Sequence, residues 1–89
     1  MSTFDSFYMK GILMPDMQTY DDDEFQTKAL DCNLDQYVVT PDGRLMKRRM
    51  EIDTVIYDPE KLTGSVYLRG PIDITASFVN GMLSTIAIE

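Results

Sequence analysis

The side chains best suited by type and spacing to do chemistry stand in one stretch, FQTKALDCNLDQYVVTPDGRL, which runs from Phe25 to Leu45 and brings Asp31, Cys32 and Asp35 close together. A cysteine nucleophile works as the thiolate, which a neighbouring cation favours and the carboxylates beside Cys32 disfavour. Two aspartates could act as acid and base on a glycoside, whose active carboxyls stand about 5–9 Å apart across the sugar. Spacing along the chain does not fix that distance. A chain of 89 residues without Trp also has little with which to line an aromatic cleft. The chain has no histidine, which removes the commonest general base at neutral pH and every Ser-His or Cys-His pair. Cys32 is therefore expected to be a small packing residue or an incidental thiol, and Leu30 to Leu34 a polar connection between strands.

Asp21, Asp22, Asp23 and Glu24 form a second candidate, because hard cations take oxygen ligands. Adjacent residues cannot all turn inward around one ion, and the spaced acidic pattern of a calcium loop is missing. The expectation is a solvated, mobile acidic loop over Met17 to Glu24 with no metal. One Cys and no His exclude zinc, haem and iron–sulfur spacings, so no cofactor is expected. The one basic cluster, Lys47-Arg48-Arg49, alternates across a strand and is expected to pair with nearby acids.

Charge separates the two halves of the chain. Residues 1–43 hold nine acids and two bases, residues 44–89 six of each, so the whole net charge of −7 lies in the first half. Such a field repels phosphate backbones, which disfavours nucleic acid and favours a basic protein surface as partner. No apolar run approaches the roughly 18–20 residues that span a bilayer, and the N-terminus lacks a signal pattern. A membrane role is not expected, and a lone cysteine fits a reducing cytoplasm.

The elements that must position these residues read as strands. A chain of this length builds a single β domain over residues 1–89, and no segment keeps helical spacing. Alternating apolar and β-branched runs recur between turn signals every 8–12 residues or so. They predict an all-β antiparallel meander of about eight short strands forming a twisted sheet, small sandwich or open barrel, with little or no helix. Strands are expected at Asp5 to Lys10, Phe25 to Leu30, Glu51 to Tyr57 and Thr63 to Arg69. At Thr40-Pro41-Asp42-Gly43-Arg44, a type I turn with a bulge at Gly43 sets Val39 opposite Leu45, Tyr37 opposite Lys47 and Asp35 opposite Arg49, the last as an ion pair. At the C-terminus, a three-residue loop Val79-Asn80-Gly81 aligns one apolar face, with Phe78 opposite Met82, Ile74 opposite Ile86 and Ile72 opposite Ile88.

The order FQTK, LDC, LDQY, DGRL, LTG and FVNGML resembles a family of small uncharacterised bacteriophage and prophage proteins, over most of residues 4–88 and most weakly over 46–61. The resemblance implies a mobile-element protein made in a bacterial cytoplasm and no particular activity. Gln26, Thr27, Lys28 and Asp31 carry it without an evident turn or core role. Together with Asp21, Asp22, Asp23 and Glu24 they are the expected partner surface. The expected function is that of a non-catalytic accessory protein binding a host or phage protein, such as an inhibitor of a defence or nuclease system that mimics nucleic-acid charge. The alternatives are a structural protein that self-associates, as a homodimer for example, through a sheet edge or a second apolar face carrying Leu83 and Val79, and, least favoured, a small hydrolase.

Overall fold

The protein is described by a computed structural model, in which residues 4–30 and 34–89 are placed. The fold is all-β. Eight strands follow in the order β1 (Asp5–Met9), β2 (Tyr20–Thr27), β3 (Gln36–Val39), β4 (Leu45–Glu51), β5 (Thr54–Pro59), β6 (Gly64–Leu68), β7 (Ile74–Val79) and β8 (Met82–Ile88). They form a five-stranded sheet ordered β2-β1-β3-β4-β5 and a three-stranded sheet ordered β6-β7-β8. Among the described residues there is no helix, and so none long and apolar enough to cross a membrane.

The two sheets pack face to face as a small open sandwich. Phe7, Met9, Phe25, Val39 and Leu45 come from one, and Val66, Leu68, Ile74, Ala76 and Phe78 from the other; all are buried. Phe7 stacks on Tyr37 at 5.1 Å and meets Phe78 at 6.5 Å between ring centroids, so the aromatic contact crosses the layer. Backbone hydrogen bonds stitch the sheets at two corners. Gln26 and Arg69 exchange bonds of 2.7 and 2.8 Å, and at the opposite corner Leu45 N–H donates to Gly81 and Leu83 N–H to Gly43.

The topology is not a plain meander, because β1 and β3 pair in parallel. The reason is geometric. Strand β2 runs back to the start of β1, where Thr27 faces Asp5, and β3 begins at that same end, so it must run alongside β1 in the same direction. The buried Asp5 carboxylate accepts the Asp35 N–H at 3.0 Å, and Ser6 N–H donates to the Asp35 carbonyl at 2.9 Å. Together they pin the connection across the end of β1.

Four local expectations are corrected. The acidic run is not a loop: residues 20–27 are strand β2, longer and earlier than Phe25 to Leu30. Its register passes from Met9 opposite Tyr20 to Phe7 opposite Phe25, so Asp21 to Glu24 all stand against Tyr8. A bulged edge strand meets water and spreads the carboxylates without burying them.

The run Glu51 to Tyr57 is not one strand, because Ile52 and Asp53 form a two-residue turn between β4 and β5. The alternation of Ile52 with its neighbours imitates a continuous strand. Asp35 does not pair with Arg49. It lies before β3 and pairs with Lys47 at 3.2 Å, while Arg49 bonds to Asp58 of β5 at 2.7 Å and to Glu51, two residues on along the same face of β4. The rest of the Thr40 to Arg44 hairpin has the expected register, with Lys47 Nζ 6.0 Å from the Tyr37 ring centre.

In the C-terminal hairpin Val79 faces Met82 and Phe78 faces Leu83 across a two-residue Asn80-Gly81 turn, both at positive φ. A bulge then shifts the register, so Ser77 faces Thr85 and Ile74 faces Ile88. The slack that unites the apolar face is inside the strand and not in the loop. Leu83 consequently packs against the core, and the second apolar face expected of Leu83 and Val79 does not form.

Candidate functional site

Three of the residues singled out by sequence, Gln26, Thr27 and Lys28, line a cleft of about 500 Å³ together with Phe4, Tyr67 and Arg69. The cleft lies at the corner joining the sheets, where Gln26 of β2 pairs with Arg69 just past the end of β6. Thr27 is buried, and its Oγ1 accepts the Ala29 N–H at 3.1 Å, which bends the chain away from β2.

The remaining side chains have distinct electrostatic settings. Among the described residues Arg69 forms no ion pair, which leaves a guanidinium presented at the cleft of an acidic protein. Tyr67 donates its phenol to Asp73 at 3.1 Å, and partial burial together with that bond raises its pKa above the ordinary value. A guanidinium beside two aromatic rings can hold a carboxylate in a fork of hydrogen bonds and a flat apolar group against a ring face.

Asp21, Asp22, Asp23 and Glu24 lie just before the cleft residues on the same strand and form an exposed ridge. Glu24 is the most structured of them: it accepts hydrogen bonds from Gln26 Nε2 at 3.0 Å and Ser6 Oγ at 2.9 Å, which lower its pKa. Asp21 accepts the Gly11 N–H at 2.9 Å, and Asp22 lies 3.8 Å from Lys10. Among the described residues no three Asp, Glu or Cys side chains converge as metal ligands would. Asp31 and Cys32 lie outside the described residues, so the expectations placed on them find no structural counterpart.

Sequence reasoning missed Phe4, Tyr67 and Arg69 as members of the cleft. Tyr67 lies near the end of β6 and Arg69 just past it, and the pairing of Arg69 with Gln26 of β2 brings them to the cleft. The signal that could have found them is the exposed aromatic beside a cation at a strand end. Comparison with protein-family models, with curated proteins and with solved structures returns no match to the chain.

Proposed function

We propose that the protein is a non-catalytic binding module that captures a segment of a partner protein along β2, with the acidic ridge and the Arg69–Tyr67 cleft as adjoining halves of one surface. The observation that carries this reading is that the cleft and the ridge share one strand, with Gln26 hydrogen-bonded to Glu24 where they meet. A partner strand or loop with Lys or Arg against Asp21 to Asp23 and a carboxylate against Arg69 complements both halves. Among bacterial proteins this favours a basic, nucleic-acid-handling partner in the cytoplasm, a host defence nuclease for example. That context is the one implied by the resemblance to phage and prophage proteins.

The absence of histidine and the lack of a nucleophile–base pair among the described residues of the cleft support binding over catalysis. The test is affinity capture from bacterial lysate with the wild type, with Arg69→Glu, and with the double variant Asp22→Asn/Asp23→Asn. The expected result is a partner band that Arg69→Glu abolishes and the ridge variant weakens. It should also fall at about 0.5 M salt, where the Debye length is only about 4 Å. Equal recovery by all three proteins would sink the reading.

A further inference from the structure

We infer that a second copy of this chain pairs with the free edge of β5, joining two five-stranded sheets across a two-fold axis. The surface is the β4–β5 hairpin, which extends past the core and leaves apolar side chains in water: Met50 is 59% exposed, Ile52 92%, Val55 39% and Tyr57 51%. Met50 faces Val55 and Arg48 faces Tyr57, so one apolar stripe runs up the outer face of the hairpin. At its tip Ile52 has φ 55°, a conformation that β-branched residues avoid.

The choice of a second copy rests on charge and register. In a molecule of net charge −7, residues 45–59 hold Lys47, Arg48 and Arg49 against Glu51, Asp53 and Asp58, a balance of zero. Two such arms can meet without the repulsion the acidic remainder would impose. The edge is also primed for pairing. Glu60 N–H donates to the Leu45 carbonyl at 3.1 Å, and counting back by alternate pairs makes Asp58, Ile56 and Thr54 the residues bonded to β4. The N–H and C=O groups of Val55 and Tyr57 therefore point away from the sheet.

A two-fold axis normal to the sheet keeps like faces together, so residues of equal parity must pair. Centred on Ile56, the register sets Val55 against Tyr57 of the second copy, and those are the two residues whose backbone groups are free. It also sets Asp58 against Thr54 and Asp53 against Pro59, with no carboxylate facing another. Moving the centre to Tyr57 would instead put Val55 against Pro59, which has no N–H to give. Moving it to Val55 would put Asp53 against Tyr57 and Ile52 against Asp58.

Two measurements test the pairing. Sedimentation equilibrium at high micromolar concentration should find a dimer, weakened about tenfold or more by Val55→Pro and by Tyr57→Lys, with folding checked by circular dichroism. In a Cys32→Ser background, single cysteines placed at residues 54 to 58 in turn should form an intermolecular disulfide under mild oxidation only at Ile56→Cys. There the two Cα atoms would stand about 4.5 Å apart in a non-hydrogen-bonded pair. A monomer at every concentration, a dimer indifferent to both edge variants, or cross-linking at another position would overturn the inference.

Discussion

The five-stranded sheet ends in two strands that treat water differently. Strand β2 carries Asp21 to Glu24 on a wide bulge, and its far end is closed by the bridge to Arg69. Strand β5 is regular, belongs to a β4–β5 hairpin whose charges balance, and presents Val55 and Tyr57. Bulges and charges are the usual devices that keep a sheet edge from recruiting another strand. One edge has both and the other ends only in Asp58 and Pro59. The same sheet thus separates a charged, bulged edge from a regular edge whose backbone groups are free to pair.

The largest expected effect concerns the corner that anchors β4 at the base of the β5 arm. Gly81 has φ 79°, and a Cβ there would stand 1.8 Å from the Glu60 carbonyl oxygen. Gly81→Ala should cost about 3 kcal/mol by chemical denaturation, because backbone must move as well as φ. Gly43→Ala meets only Leu83 at an ordinary 3.6 Å and should cost about 1 kcal/mol, from its φ of 87° alone. Similar losses for the two would mean that the corner is not the anchor described.

On the β2 side, Asp5→Ala strips the acceptor from the Asp35 N–H and should cost about 2 kcal/mol, a loss that Gly81→Ala would not reproduce in hydrogen exchange at Asp35. Ile52→Gly should act in the opposite sense. By relieving a β-branched residue at positive φ in an exposed turn, it should raise stability by about 1 kcal/mol in the same assay.

Acid should reach both edges. Hydrogen bonds from Gln26 and Ser6 lower the Glu24 pKa, and one from Arg49 lowers that of Asp58. A carboxyl lowered in the folded state stabilises above its unfolded pKa, near 4, and loses that contribution as pH falls through the folded value. Melting between pH 6 and pH 3 should therefore fall less steeply in Glu24→Gln and Asp58→Asn than in the wild type. The smallest effect is expected from Asp22→Asn/Asp23→Asn, within about 0.5 kcal/mol, since both acids are exposed.

Strand content, the Thr40 to Arg44 register and the exposure of the four acids were legible because each depends on neighbours in sequence. Pro41, Asp42 and Gly43 specify their turn locally, and four adjacent carboxylates stay in water in any fold. The Ile52–Asp53 turn was hidden because Ile52 has the chemistry of a strand residue and the conformation of a glycine. The C-terminal register shows a third case: the demand for one apolar face was correct, yet a bulge beside Phe78 meets it as well as a longer loop would. The cleft was half visible. Gln26, Thr27 and Lys28 stood out, but Tyr67 and Arg69 join them only through the corner between sheets, which no local pattern announces.

The parallel pairing of β1 with β3 has a consequence for the order of events during synthesis. Of the eight strands β1 is translated first, yet it lies inside its sheet between β2 and β3 and cannot be seated until both flanking strands have been translated. The β4–β5 and β7–β8 ribbons close over short spans and can form as they emerge. Until they do, Phe7 and Met9 wait without a partner layer, so β1 is the strand most in need of shelter from aggregation.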